Sequence, residues 1–290
     1  MAVDAALVLT FVAMTSPAPV ASSKDRAIFR SSQLFGGFEL MSARFVHHRF
    51  APHTHDELMI GLIRSGVKSF RLGPDRKFAA PGQLSVVNPG ELHTGEREHG
   101  PELTYIALYL PLATLSAIIP GHGGREREIQ HPVITDVFVW HQLAWAHDAL
   151  FKSDDTFAAE ECLVLGITSL FKRYAARAPR MPPGTHPAAI RRALAYLEAE
   201  AANPATLESL ANASGVGSFH LIRLFQRHLG TTPHAYLTQL RIERAKRLLK
   251  AGQPVARVAL DVGFADQAHL TRRFKALTGT TPGRYAAAHQ

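Results

Sequence analysis

Cysteine is almost absent from this 290-residue chain. Cys162 stands alone, so no internal disulfide forms and no thiolate zinc site can be assembled. A reducing compartment, the cytoplasm, is the expected home. Long apolar runs are missing as well. The apolar stretch at residues 5–14 follows Asp4 instead of a basic flank and is far shorter than the ~20 residues that cross a bilayer. Residues 1–27 read as a tail or an overextended start, and no membrane segment is expected. Acidic residues are scarce in one region only. Residues 188–290 hold 14 Lys and Arg against 6 Asp and Glu, whereas residues 1–187 hold 18 of each, so the whole net charge of +8 belongs to the last third. A basic domain suited to nucleic acid, joined to a neutral one, fits that division; an idle basic surface is the alternative. With 46% hydrophobic and 19% charged residues, fibrous and wholly disordered classes are excluded.

What the basic third does contain is an internal repeat. At an offset of 49, His220, Leu221, Arg223, Phe225, Gly230, Thr231, Thr232, Pro233 and Tyr236 recur as His269, Leu270, Arg272, Phe274, Gly279, Thr280, Thr281, Pro282 and Tyr285. Upstream, with a slip of one residue, Ala211 and Gly215 correspond to Ala259 and Gly263. Two copies of one supersecondary unit are present. Each reads as a short helix, a tight turn at the glycine and a second helix. A small residue four positions before the turn glycine allows the close crossing of a helix-turn-helix. The units span residues 206–229 and 255–278.

Helical periodicity selects the side chains that are free to touch DNA. With Leu221 and Phe225 buried, Ser218 opens the first helix and Phe219, Ile222, Arg223, Gln226 and Arg227 occupy the outer face. With Leu270 and Phe274 buried, the second helix offers Thr271, Arg272 and Lys275, with Asp266 and Gln267 at its start. Arg grips guanine and Gln adenine, while Ser, Thr and Lys more often hold phosphate. Arg223 and Arg272, at equivalent positions, are the first candidates for base reading. Between the copies, Pro233 to Lys250 shows a helical pattern with Arg241, Arg244, Lys246 and Arg247 on its remaining surface. Eighteen residues make a spacer of about 27 Å, commensurate with the ~34 Å between successive major-groove faces.

Residues 188–286 resemble the DNA-binding domain of AraC/XylS-type transcriptional regulators. The resemblance rests on Ala245, Leu248 and Leu249, then Val258, Ala259, Gly263, Phe264, Asp266, Gln267, Leu270, Arg272, Phe274 and Lys275, then Gly279, Thr281, Pro282 and Tyr285. Leu270 stands where the family often has an aromatic residue. The resemblance implies that the second recognition helix is often the less base-specific of the two.

In the neutral part, residues 44–50, 57–64, 68–72, 84–87 and 103–110 read as short strands separated by turns, the signature of a β-sandwich or barrel. His53 and His55 alternate onto one strand face, and the distant His93 would converge on them. Three imidazoles suit a transition metal, and the spacing resembles the two cupin motifs. The cupin carboxylate ligand would fall at Met59 or Ile60 and is missing, with Glu57 as the nearest substitute. Metal binding, hydrogen bonding toward a small ligand or within the protein, and ordinary core histidines all remain open. The same motifs, with Gly61, Gly66, Pro81, Gly82 and Asn88 to Glu91, resemble AraC-type effector-binding domains. That resemblance implies a small-molecule effector, bound at candidates His53, His55, Glu57 and His93, and no turnover chemistry.

Two helical patterns follow, at residues 135–151 and 156–177; Val137, Trp140, His141, Ala144 and Leu150, then Cys162, Leu165, Ile167, Leu170 and Phe171, give each a broad apolar side suited to antiparallel pairing, and by resemblance such helices often make a dimer contact. Cys162 reads as a small buried filler. The expected organisation is an α+β multidomain chain: a cupin-like β-barrel at 28–122, a helical association segment at 123–178, a linker at 179–187 and an all-α double helix-turn-helix at 188–286. The expected function is a ligand-responsive, sequence-specific DNA-binding transcriptional regulator of activator type, not an enzyme, without cofactor or metal. Its expected partners are double-stranded operator DNA, a small-molecule effector, RNA polymerase and a second copy. The alternative is a metal-dependent cupin enzyme fused to a nucleic-acid-binding domain.

Overall fold

The computed structural model of the chain describes residues 25–119, 127–152, 156–177, 187–203 and 205–289. Most of the expected tail, and the expected linker up to Pro187, lie outside the described residues. Seven strands come first: β1 (Arg26–Ser32), β2 (Phe38–Phe45), β3 (Arg49–His53), β4 (Leu58–Leu72), β5 (Asp75–Ala79), β6 (Leu84–Val87) and β7 (His93–Leu110). Helix α1 (Leu112–Ile118), strand β8 (Arg127–Ile129) and strand β9 (Val133–Ile134) follow. The main sheet is antiparallel with the order β1-β2-β7-β4-β6-β9; β3 pairs with the start of β7 and β5 with the end of β4.

Spacing predicts two strands at 57–64 and 68–72, but the structure joins them into the single strand β4. Gly66 makes this possible, because at φ +72 the chain bends without leaving the ladder. A Cβ there would lie 2.2 Å from the Glu102 carbonyl oxygen, and one on Gly100 would lie 3.1 Å from Gly66 Cα. The bends of β4 and β7 pass each other on these two glycines.

Alternate residues of the long strands feed two cores. Leu58, Ile60 and Leu62 of β4, with Ile106, Leu108 and Leu110 of β7, face a core covered by α1, α2 (Val137–Lys152) and α3 (Thr156–Tyr174). Met59 and Ile63, with Met41, Phe45 and Tyr105, face the other way. A sheet covered on both sides reads as near-continuous apolar sequence instead of strict alternation. Helices α2 and α3 meet where Gly166 leaves room for Leu143, whose Cδ2 would lie 2.6 Å from any added Cβ. Strand β10 (Ala175–Arg177) then pairs with β8.

Three expectations are corrected here. Val137 and Leu165, assigned by periodicity to buried sides, are exposed; Cys162 is half-buried, not a core filler. The expected helical segment starts with β8 and β9 instead of helix, and β9 extends the sheet by pairing with β6.

The C-terminal part comprises α4 (Ala188–Glu200), α5 (Leu207–Ser214), α6 (Ser218–Leu229), α7 (Pro233–Lys250), α8 (Val255–Asp261), α9 (Gln267–Thr278) and α10 (Pro282–Ala287). The repeated Gly-Thr-Thr-Pro now has a physical reason. Gly230 and Gly279 end α6 and α9 in the left-handed region at φ +67 and +76, Thr232 and Thr281 cap the next helices, and Pro233 and Pro282 occupy their first positions. Each threonine cap contributes about 1 kcal/mol.

The first helix-turn-helix has a core of its own, built on Ile190, Leu197, Leu210, Leu221, Phe225 and Leu237. The second does not. Val258, Ala259, Leu270, Phe274 and Tyr285 join the sheet residues Phe29, Met41 and Phe45 in one continuous cluster. Tyr285 sits edge-on to both Phe29 and Phe274, with ring centres 5.4 and 5.3 Å away. The sheet is therefore a layer between the α1–α3 helices and the C-terminal helices.

Candidate functional site

The two recognition helices are presented by their turns. Gly215 ends α5 at φ +71, and its N–H reaches the Ala211 carbonyl. Gly263 is more tightly constrained: at φ +91, a Cβ would lie 2.7 Å from the Ala202 carbonyl oxygen. No side chain fits there, so the second turn packs directly on the end of α4.

On α6, Leu221 and Phe225 are buried and Phe219, Arg223, Gln226 and Arg227 are exposed, as the wheel predicts; Ser218 and Ile222 are half-buried. Phe219 is 86% exposed, an unusual position for a large aromatic ring unless another molecule covers it. On α9, Gln267, Arg272 and Lys275 are exposed, with Arg273 beside them. Two of the sequence candidates are occupied within the helix. Asp266 accepts the His269 N–H at 2.6 Å as the cap of α9, and Thr271 donates to the Gln267 carbonyl at 2.8 Å.

The basic residues of α7 differ from expectation. Arg241 donates to the Ala201 and Asn203 carbonyls at 2.7 and 3.0 Å, and Arg244 to the Glu198 carbonyl, so both tie down the end of α4. Lys246 is turned inward, 3.2 Å from Glu243. Burial opposes its charge, yet Glu243 and Glu39 hold it protonated well above the ordinary lysine range. These residues were read as free surface because a helical wheel shows which face is polar, not what packs on it.

His53, His55 and His93 do converge. Ring centres of His53 and His93 are 4.2 Å apart, those of His55 and His93 4.8 Å, and those of His53 and His55 6.2 Å. Each Nδ1 lies against a carbonyl oxygen: Ala51 at 2.8 Å, Glu57 at 2.7 Å and Glu91 at 3.0 Å respectively. A carbonyl only accepts, so each Nδ1 carries the proton and each Nε2 is left as a bare acceptor. Burial holds all three neutral, pushing His53 down to about 4, His55 to about 3 and His93 well below the ordinary value.

Glu57 Oε2, like His55 Nε2, is buried without a hydrogen-bond partner. Among the described residues, no group of three or more His, Cys, Asp or Glu is placed to hold a metal ion. The cavity beside His53, His55 and Tyr109 measures about 30 Å³, room for a water or two. Its far wall is Gln239, Glu243 and Lys246 of α7.

Sequence reasoning missed the polar seam that continues from this cavity. Glu39 of β2, only 5% exposed, accepts from Tyr285 Oη at 2.5 Å and His289 Nε2 at 2.7 Å, and lies 3.1 Å from Lys250 Nζ. Burial opposes its ionisation, but the bond from His289 and the Lys246 and Lys250 charges keep it ionised far below the usual carboxylate range. Gln239 of α7 accepts the Thr54 N–H and donates to the Thr54 carbonyl, both at 3.0 Å. Lys68 is also internal: it donates to Ser85 Oγ at 3.2 Å, lies 4.9 Å from the Tyr105 ring centre, and is pushed down to about 8 by burial. No local motif marks these residues, because their partners are up to 250 positions away.

Comparison with known proteins follows the same division. A family described as a helix-turn-helix domain matches residues 210–288, and one described as an AraC-like ligand binding domain matches residues 35–165. The chain is 28% identical over 250 residues to the uncharacterized HTH-type transcriptional regulator YbfI of Bacillus subtilis, covering 83% of this chain and 89% of that one. It is 25% identical over 247 residues to the HTH-type transcriptional activator RhaS of Escherichia fergusonii, covering 80% and 86%. The crystal structure of ToxT from Vibrio cholerae superposes with a TM-score of 0.52 at 10% identity, over 92% of this chain and 98% of that one, a likeness of fold alone.

Proposed function

Because the chain belongs to the AraC/XylS-type transcriptional regulators, we propose that α6 and α9 read two adjacent major grooves of one operator under the control of a small molecule bound by the N-terminal part. The observation that carries this reading is the outer face of α6. Arg223, Gln226 and Arg227 stand exposed around an exposed Phe219, on a helix whose other face buries Leu221 and Phe225. A basic, base-complementary surface on a rigid helix is what direct readout needs.

Within this reading Arg223 and Gln226 contact base edges, Phe219 and Ile222 meet apolar groups in the groove, and Ser218, Arg227, Gln267 and Lys275 hold phosphate. Arg272 is the equivalent of Arg223 in the second groove, and the Asp266 and Thr271 side chains set up α9 instead of touching DNA. His53, His55, Glu57 and His93 serve the hydrogen-bonding role inside the protein, as part of the seam against α7. That seam is the natural relay between effector and DNA. The chain acts in the cytoplasm as a homodimer that contacts RNA polymerase and activates transcription, with no catalytic turnover; among the described residues no helix is long and apolar enough to cross a membrane.

Arg223→Ala and Lys275→Ala, tested on DNA recovered by selection, separate the roles. The first is expected to relax preference at one base position by about 1–3 kcal/mol, and the second to weaken all sequences alike and lower the salt slope. Uniform losses from both variants would refute the assignment.

A further inference from the structure

Resting on the reading of α6 and α9 as a pair of groove-reading helices, we infer that Leu92, Phe45 and Phe50 of the sheet domain are positioning residues that fix the spacing between them. The operator half-site spacing that the chain accepts is then set outside the helix-turn-helix units.

Each recognition helix ends on a glycine, Gly230 or Gly279, at the same place in the repeat. The sheet domain touches both. A Cβ on Gly230 would lie 2.6 Å from Leu92 Cδ2, and one on Gly279 would lie 2.8 Å from Phe45 Cζ and 3.4 Å from Phe50 Cζ. The left-handed turns favour glycine at both positions in any case, but they do not require a side chain of a remote strand against each. A recognition helix meets base edges with its N-terminal residues, so its C-terminal end is where another domain can hold it without entering the groove. Between the two helices, Gln239 of α7 accepts the Thr54 N–H and donates to the Thr54 carbonyl, both at 3.0 Å, which pins the connecting rod to the same domain.

The two readers are held differently. The second shares the core of the sheet, whereas the first has a core of its own. Placement of the first therefore rests on discrete contacts: Leu92 on Gly230, Thr54 on Gln239, and the end of α4 against the Gly263 turn. The holds on α6 and α9 also share one short piece of sheet. Leu92 precedes His93, the first residue of β7, and Phe50 of β3 pairs with Gly95 of the same strand. Glycine leaves room for the Phe50 ring there, 3.5 Å from where a Cβ would sit. Three residues of strand, about 10 Å, separate the two holds along β7. His93 and its register partner His53 lie in that interval, next to the shift in pairing between Phe50 and His53. The histidine group thus braces the stretch of sheet that sets the distance between the readers.

One base pair more or less between half-sites moves the second by about 3.4 Å and turns it by about 34°. A fixed pair of readers tolerates neither change. A loose pair tolerates both, and gains less from joining its two contacts.

Full-length protein is tested on DNA recovered by selection, with the two half-sites at native spacing, one base pair closer or one base pair further apart, and on a duplex with only one half-site intact. For the native chain either change of spacing is expected to cost at least about tenfold in affinity. In Leu92→Ala/Gln239→Ala that ratio is expected to shrink to about threefold or less, while affinity for the single half-site is unchanged. Leu92→Met is expected to keep the native ratio. Leu92→Ala alone, a change at a half-buried turn residue, gives the same readout at smaller size should the double variant not fold. A purely structural loss would weaken all spacings alike and leave the ratio native. That result, or a native chain indifferent to spacing on a selected site, would overturn the role of these residues while leaving α6 and α9 as readers. Failure to select any sequence would refute the readers themselves, and the spacing role with them.

Discussion

Glu39→Gln removes the one carboxylate at which β2 meets the last helix, and Tyr285→Phe removes a single hydrogen bond to it. The carboxylate is 5% exposed and accepts from Tyr285 and His289 beside Lys250. Loss of its charge leaves His289, whose side chain is 3% exposed, and Lys250 without their partner. Breaking a buried charge pair from one side costs about 3–5 kcal/mol, whereas deleting one hydrogen bond to a charged acceptor costs about 1.5–3 kcal/mol. Because the Tyr285 hydroxyl bond exists only toward Glu39, the double variant should cost less than the two singles added, by at least about 1 kcal/mol. Urea denaturation of the full chain measures this with two probes. Trp140 and Trp145, the only tryptophans, report on α2, while far-UV circular dichroism includes all the C-terminal helices. The shared core predicts coincident transitions in the native chain. In Glu39→Gln the dichroism should fall first. Additive effects within about 0.5 kcal/mol, with coincident transitions in every variant, would refute the role given to Glu39.

Two further outcomes are expected. Gly263→Ala, at φ +91 and 2.7 Å from the Ala202 carbonyl oxygen, should destabilise by about 2–4 kcal/mol, while Gly217→Ala, with nothing within 4 Å, should change stability by less than about 1 kcal/mol in thermal denaturation. The buried histidines should make the chain acid-sensitive: His53 is held down to about 4 and is neutral when folded, whereas the unfolded chain takes up the proton near 6.5. Stability is then fully present above that value and falls as pH drops toward 4, by on the order of 3 kcal/mol from His53. His53→Asn should flatten the pH dependence of the urea midpoint; an unchanged slope would show that the ring is not held neutral.

Much of this architecture is legible where neighbours in space are neighbours in sequence. The helix-turn-helix pair could be read because Leu221, Phe225, Leu270 and Phe274 recur at helical spacing and the Gly-Thr-Thr-Pro runs both end and begin helices. Even the bounds of α7, Pro233 to Lys250, were visible, since its threonine cap and first-turn proline are local. The convergence of His53, His55 and His93 was equally readable, because alternation puts two of them on one face and register brings β3 beside the start of β7. What periodicity cannot show is which face another element will cover. Lys246 was read as surface and lies inside; Val137 was read as core and lies outside. Glu39 drew no attention, since its partners Lys250, Tyr285 and His289 are more than 200 residues away. The contact of Leu92 with Gly230 exists only once α6 is laid beside the sheet.

Selection of genomic DNA fragments by the purified full-length protein, with affinity for the recovered site measured at several salt concentrations, tests most directly whether α6 and α9 read DNA together. Enrichment of a short asymmetric site spanning two helical turns, with specific binding that exceeds non-specific binding by at least ~10³, is predicted. Recovery of random fragments, with a steep salt slope and no preferred sequence, would mean contact with phosphate alone and would contradict it.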